Sequence, residues 1–267
     1  MIRLAVFDID KTLISPSTGL LAEETSDAIL KLKQRGIKTA IASGRQLQHV
    51  RSELKALGFD YYILSNGSYV TNDGGNVLHL EALDVDIIEA LTQDVVACGY
   101  PMDLRFVGGM YPANPNVCLE DVMDFNMGRE EFLAEFQAGV LSASPQIHGE
   151  QPMSCVGYIP VDKAEFFEKK YPQLQFIKIF GGPLCDINKA GVSKATGLEK
   201  VCSMMGIDMG EVIAFGDDMN DVEMIAAAGI GVAMGDAIEE VKSAADYITD
   251  TCDNLGVLKG LRHFDLL

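Results

Sequence analysis

Two aspartates, Asp8 and Asp10, stand two residues apart in the run Asp8-Ile9-Asp10-Lys11-Thr12-Leu13. An ionised aspartate can attack an electrophilic phosphorus and form an acyl phosphate that water later hydrolyses. A second carboxyl beside it can protonate the leaving oxygen and then accept a proton from that water. Three more carboxylates lie in Gly216-Asp217-Asp218-Met219-Asn220-Asp221. Such a set repels itself unless a proton or cation intervenes, and hard oxygen ligands with room for water and phosphate suit Mg²⁺. An EF-hand calcium loop is excluded, because its sixth position is Val222 rather than Gly. Donors for an anion occur in Ile41-Ala42-Ser43-Gly44-Arg45, where a hydroxyl and flexible backbone sit at a strand-to-helix turn. An ammonium occurs in Gly191-Val192-Ser193-Lys194-Ala195-Thr196-Gly197-Leu198, at the opening of a predicted helix. Each piece alone reads equally as a polar strand end, an acidic turn, a turn serine or a helix lysine. Four of them in this order weigh against that reading.

These residues need a scaffold that brings distant segments to one edge. Leu4-Ala5-Val6-Phe7 is a continuous apolar run, as expected of a central parallel strand covered on both faces. Ala28, Ile29 and Leu32 share one stripe of a helix predicted over 24–35, with Gly36 placed to end it. Thr39-Ala40-Ile41-Ala42 reads as a second strand, 46–57 as a helix stopped by Gly58, and Tyr61-Tyr62-Ile63-Leu64 as a third strand. That alternation predicts an α/β fold with a doubly wound parallel sheet, whose carboxyl edge is where ligands bind. A hairpin is expected next, with Asn72-Asp73-Gly74-Gly75 as its turn. The alternation resumes with strands at 212–215 and 230–233 around a helix at 221–228, a short strand at 247–249 and a terminal helix at 255–264. Both aspartate motifs therefore follow buried strands. Residues 84–185 carry eight of the nine prolines and 12 of the 20 Phe and Tyr, which marks an inserted second domain between core segments 1–83 and 186–267. Its expected helices are 86–98, 128–138 and 163–171, with strands near 102–105 and 155–159.

The 267 residues are 48% hydrophobic, enough for one large or two modest domains with buried cores. Acids outnumber bases 39 to 21, and the net charge of -18 argues against a nucleic-acid backbone or an anionic membrane surface as partner. The same charge makes an anionic substrate a puzzle, unless a cation or local donors intervene. No apolar run approaches the roughly 20 residues that span a bilayer. Residues 1–10 show neither a basic lead nor a cleavage pattern, and the six cysteines are scattered with no C-x-x-C, so a reducing cytoplasm is expected. His49, His79, His148 and His263 lack metal-ligand spacing. The glycines at 229, 231 and 235 have the wrong spacing for a dinucleotide loop.

Taken in order, Asp8-x-Asp10-x-Thr12, Ser43-Gly44-Arg45, the helix Lys194 and Gly216-Asp217-x-x-Asn220-Asp221 make the sequence resemble the haloacid dehalogenase superfamily. Specifically it resembles the Cof-type branch of sugar-phosphate phosphatases, with a large cap inserted between the second and third motifs. The resemblance covers nearly the whole chain, including the tail Ala233-Met234-Gly235-Asp236-Ala237. It implies a Rossmann-like core, a mobile α/β cap and an Mg²⁺-dependent phosphatase acting on small phosphorylated metabolites. By this likeness Asp8 is the nucleophile and Asp10 the general acid and base. Asp8, the Asp10 carbonyl and Asp217 match metal ligands, while Ile9, Ser43, Gly44, Lys194 and Asn220 match phosphate-binding positions. Asp221 matches a residue that holds a metal-bound water or orients Lys194, with Thr12 and Asp218 supporting the site from behind. Asn66 and Arg45 are candidates for substrate contact, and a plain turn role for Asn66 stays open. Relatives that release halide lack the second acid, so Asp10 favours phosphoryl chemistry. Three positions depart from the pattern: Lys11 and Ala195 stand where glycine is usual, and Asp236 where asparagine is common. Lys11 either alters the loop or adds positive charge near the site. A sugar phosphomutase and a non-catalytic phosphometabolite-binding protein are the alternative readings.

Overall fold

The computed structural model describes residues 1–113, 150–179 and 182–267; the helix expected at 128–138 lies outside them. In chain order the described strands are β1 (Leu4–Phe7), β2 (Lys38–Ala42), β3 (Tyr61–Leu64), β4 (Tyr69–Asn72) and β5 (Val77–Leu80). Then come β6 (Met102–Phe106), β7 (Gly109–Pro112), β8 (Ser154–Tyr158), β9 (Leu174–Lys178) and β10 (Leu184–Lys189). The last three are β11 (Val212–Gly216), β12 (Ile230–Ala233) and β13 (Tyr247–Ile248). Contacts divide the chain into one unit of Met1–Gly44, Val50–His79 and Ser193–Leu267, and another of Arg45–His49 and Leu80–Val192.

The first unit is built on an eight-stranded sheet ordered β13-β12-β11-β1-β2-β3-β4-β5. It is parallel from β13 through β3, and β4 turns back antiparallel to β3. β1 lies between β2 and β11, and every residue from Leu4 to Phe7 is fully buried, which accounts for its unbroken apolar run. Phe7 is paired in register with Phe215, and their rings stack at 5.3 Å. The Asp8 amide then donates to the Phe215 carbonyl at 3.0 Å. Asp8 and the Gly216-Asp217 step consequently leave the sheet side by side at its carboxyl edge. The parallel sheet and the hairpin turn agree with the sequence reading, but the helix expected over 46–57 does not form as one piece. A single turn at Leu47–His49 is separated from a short helix at Ser52–Ala56 by Arg51, whose ψ is 148°. Ahead of the first turn, the buried Gln46 amide donates to the Phe106 and Gly109 carbonyls at 2.8 and 3.3 Å.

The second unit carries an antiparallel sheet ordered β7-β6-β8-β10-β9. Helices Val85–Ala97 and Val161–Lys170 contribute Ile88, Leu91, Val95 and Phe167 to the same core as Leu104 and Phe106. The first of these helices starts at Asp84, whose carboxylate accepts the Asp86 and Ile87 amides. β10 runs across the boundary expected at residue 185, and its ladder with β8 and β9 keeps residues 186–189 in this unit.

Candidate active site

Three carboxylates from the two aspartate motifs meet at the edge where β1 and β11 end. Asp8, Asp217 and Asp221 are all buried, and each offers an oxygen within 4.8 Å of the others. Lys194 enters from the start of the helix Lys194–Met205 and donates to Asp8 Oδ1 at 2.6 Å and to Asp221 Oδ1 at 2.7 Å. Its side chain is 1% exposed, so one ammonium is held between two carboxylates out of reach of bulk water. Asp221 is bonded at both oxygens, because its Oδ2 also accepts the Asp217 and Asp218 amides at 3.0 and 3.2 Å. These bonds orient Lys194 and tie down the loop from Asp217 to Asp221. Thr12 donates to Asp217 Oδ1 at 3.3 Å, and Asp218 caps the turn by accepting the Met219 amide at 2.8 Å.

Glycines let these segments approach one another. A Cβ on Gly216 would stand 2.5 Å from Asp221 Cγ, so the Asp221 carboxyl lies directly over that backbone. Gly67, at φ 98°, meets the first turn of the Lys194 helix, where its missing Cβ would stand 2.0 Å from the Ser193 carbonyl oxygen. Gly197 fits the same contact, 2.9 Å from Gly67 Cα by the same measure. Ser193 and Thr196 form a reciprocal capping box that fixes where this helix begins, and with it the position of Lys194. A Gly67→Ala variant should lose about 1–3 kcal/mol in denaturant unfolding and bind phosphate less well, because the helix start must retreat. Unchanged stability and phosphate affinity would show the contact to be slack.

The electrostatics follow from burial and crowding. Burial, followed by Asp221 and Asp10 repulsion, pushes the Asp8 carboxyl up to about 7 against the pull of Lys194. Burial and the neighbouring Asp8 and Asp221 push Asp217 up to about 9, with Lys194 and Lys11 opposing. For Lys194, burial disfavours the ammonium, yet Asp221 and Asp8 together outweigh it and hold its pKa above the ordinary lysine value. The group is thus short of positive charge. Buried hard oxygens that resist ionisation together are a donor set that fits a hard divalent cation.

The remaining candidates fall around this group. Ile9 is buried, and its carbonyl accepts the Leu13 and Ile14 amides, which turns the chain directly after Asp10. Asp10 lies at the mouth of that turn, partly exposed, and its carboxyl is not in the metal-capable trio; Asp221 stands there instead. Ser43 is buried at the end of β2, donating its amide to the Ile63 carbonyl at 2.8 Å and accepting the Asn66 amide at 3.0 Å. Gly44 follows it at the end of a segment of the first unit, whereas Arg45 belongs to the second and donates to the His49 carbonyl at 3.0 Å. Asn66 is 1% exposed at φ 54°, and its Oδ1 accepts from the Asn220 side chain at 2.8 Å. That bond orients the Asn220 amide. Ala195 is buried behind Lys194, and Asp236 is exposed. Sequence reasoning missed Gly67, Gly197 and the Ser193–Thr196 pair; the Ser-x-x-Thr spacing before an apolar helix was the available signal.

Residues 5–261 match the family described as haloacid dehalogenase-like hydrolase. A 5-amino-6-(5-phospho-D-ribitylamino)uracil phosphatase of Bacillus subtilis is 29% identical over 99% of this chain and 96% of its own length. A longer Streptococcus pyogenes relative, whose name joins a phosphatase to a peptidyl-prolyl cis-trans isomerase, is 28% identical, and the chain spans 54% of its length. Among solved structures, a Bacteroides thetaiotaomicron protein described among the phosphatases of the HAD superfamily superposes with a TM-score of 0.84 at 28% identity, covering 100% of this chain and 96% of that one. A sugar phosphatase of HAD subclass IIB superposes with a TM-score of 0.84 at 26% identity, covering 99% of this chain and 100% of that one. The chain therefore belongs to the haloacid dehalogenase-like hydrolase family, and its relatives place it among that family's phosphatases.

Proposed function

We propose that this protein hydrolyses phosphate monoesters of small metabolites, sugar phosphates foremost, through an aspartyl-phosphate on Asp8, with Mg²⁺ as cofactor. The observation that carries the reading is Asp8 at the sheet edge, its Oδ1 held 2.6 Å from the buried Lys194 ammonium beside Asp217 and Asp221. With Oδ1 engaged, Asp8 Oδ2 is the oxygen that attacks phosphorus; the O–P bond forms as the ester P–O bond breaks, and Asp10 gives its proton to the departing oxygen. Water then attacks the acyl phosphate, Asp10 takes its proton, and phosphate leaves with Asp8 restored. Ser43, the Gly44 and Ile9 amides and Asn220 hold the phosphoryl oxygens, with Asn66 fixing Asn220. Mg²⁺, held by Asp8, Asp217 and the Asp10 carbonyl, would offset charge on the transferring group when bound.

A cytoplasmic setting fits the five described cysteines, all of them free thiols. Among the described residues no helix is long and apolar enough to cross a membrane. The test is phosphate release from a panel of phosphorylated metabolites, with Mg²⁺ and with excess chelator. Release from sugar phosphates that falls at least about 10²-fold in chelator is the expected result. Isomerised sugar phosphate without free phosphate would make the protein a mutase; tight binding without release would make it a binding protein; undiminished release in chelator would remove the metal.

A further inference from the structure

Asp8 and Asp10 are two residues apart but are held by different means. Asp8 is placed by the sheet, where its amide donates to the Phe215 carbonyl at 3.0 Å. Asp10 lies beyond β1, in a loop over 9–21 that is bonded largely to itself. Asp10 pairs with Ile14, and Ile14 with Leu21, as β-bridges. The Lys11 amide donates to the Ile14 carbonyl and the Ser15 amide to the Leu20 carbonyl, each at 3.0 Å. The backbone of Asp10 therefore rests on the Ile14-Ser15 step. Ser15 is buried; its Oγ accepts the Thr18 amide at 3.0 Å and donates to Asp253 Oδ1. Residues 16–18 are exposed, so packing gives that side of the loop little support.

Asp253 offers a firm anchor. It stands in the turn Cys252–Asn254, just ahead of the helix Gly256–His263. The Thr251 carbonyl accepts the Asn254 and Gly256 amides at 3.1 and 2.9 Å, and Asp250 Oδ1 accepts the Thr251 amide and the Asn254 side chain at 2.8 and 3.1 Å. This turn is joined to the second aspartate motif. The Asp250 carbonyl accepts the Gly235 amide at 3.1 Å, while the Met234 and Ile238 amides donate to the Gly216 and Asp217 carbonyls, each at 3.0 Å. Ser15 and Asp253 thus connect the loop that carries Asp10 to the segment behind Asp217, by a route separate from the Thr12 bond to Asp217.

We propose that Asp253 is a positioning residue for the phosphatase reaction: through Ser15 it fixes the loop that carries Asp10, and so sets Asp10 for proton transfer to the departing oxygen. The inference rests on the phosphatase reading, in which Asp10 is that donor. A strongly basic leaving oxygen needs the proton, whereas p-nitrophenolate departs without it. A displaced Asp10 therefore discriminates between esters, which a general loss of stability does not. Asp253 is exposed, so its removal leaves neither a cavity nor a buried charge.

The test compares kcat/KM for the parent's best alkyl phosphate and for p-nitrophenyl phosphate, in Mg²⁺ buffer, among the parent, Asp253→Ala, Asp253→Asn, Ser15→Ala and the double Ala variant. The three Ala variants should each lose about tenfold on the alkyl ester and less than about threefold on p-nitrophenyl phosphate, the double no more than either single. Asp253→Asn keeps an acceptor oxygen without the charge and should stay within about threefold of the parent on both esters. Amide hydrogen exchange over 9–21 should quicken in the Ala variants, with no change over 212–217. Equal losses on the two esters would overturn the inference, as would an alkyl-ester rate within about twofold of the parent in Asp253→Ala. Losses that multiply in the double variant, or unaltered exchange, would overturn it too. So would an Asn variant as slow as Ala, since the field of the carboxylate rather than its bond would then matter. A parent that hydrolyses neither ester refutes the phosphatase reading instead, and the exchange comparison still decides whether Asp253 holds the loop.

Discussion

An Asp8→Asn variant should lose at least about 10⁴-fold in turnover on the best substrate of the parent and form no acid-stable phosphoryl adduct. The amide keeps the size of the side chain but has no anionic oxygen to attack phosphorus. Near-normal turnover in this variant would end the aspartyl-phosphate mechanism. Stability should move the other way. Burial, more than the pull of Lys194, sets the Asp8 carboxyl at about 7 in the metal-free protein, against 3.8 for the free side chain. A carboxyl raised on folding costs stability once the unfolded chain ionises, so the loss builds up between about pH 4 and about pH 7. Asn incurs no such loss. In chelator the variant should unfold at a higher temperature than the parent at pH 8, with the difference shrinking towards pH 4. A pH-independent difference would mean that Asp8 does not carry that proton.

A Lys194→Met variant should lose both activity and stability. Methionine fills a similar volume, but Asp8 and Asp221 are left as buried carboxylates without their ammonium. Breaking a buried pair by removing one partner costs about 3–5 kcal/mol, far more than an exposed pair is worth. Turnover should fall at least about 10³-fold, because a positive charge aimed at the reacting group is lost from a dry site. The double variant Lys194→Met with Asp221→Asn separates the two roles. It should recover part of the stability, since one orphaned carboxylate is gone, and none of the activity. Recovery of turnover in the double variant would mean that Lys194 only neutralises Asp221.

Several parts of this molecule were legible in the sequence because their causes are local. Leu4-Ala5-Val6-Phe7 reads as a central strand because both of its faces are buried, and every atom of it is. The Asp84 cap and the apolar stripe of the helix it opens are likewise short-range. β9 and β10 escaped notice because their sequences mix charged and apolar residues, and β7 because its four residues begin with Gly and end with Pro. Asp186 on β10 is buried through its ion pair with Arg105 at 2.8 Å, a partner that no pattern of spacing reveals. The helix expected over 46–57 is interrupted where Arg51 is extended, and Gln46 at its start bonds to carbonyls about 60 residues away, neither of which apolar spacing shows. Asn66 could be read as a turn residue or a substrate contact; its partner Asn220 is 154 residues distant.

The order of residues alone establishes the chemical inventory: acids two residues apart after a buried strand, a second acidic turn after another, a serine-glycine turn and one lysine at a helix start. Residue type and spacing suffice for that, since nucleophilicity, basicity and strand period are local properties. Which acids share the ammonium, that Asp221 bonds both Lys194 and its own loop, and that Lys11 sits at a positive φ follow from the folded chain and not from spacing. Those outcomes depend on the Phe7–Phe215 rung and on the Gly67 contact with the Lys194 helix. Both join segments more than 100 residues apart, and in a buried site the distance between charges sets their energy.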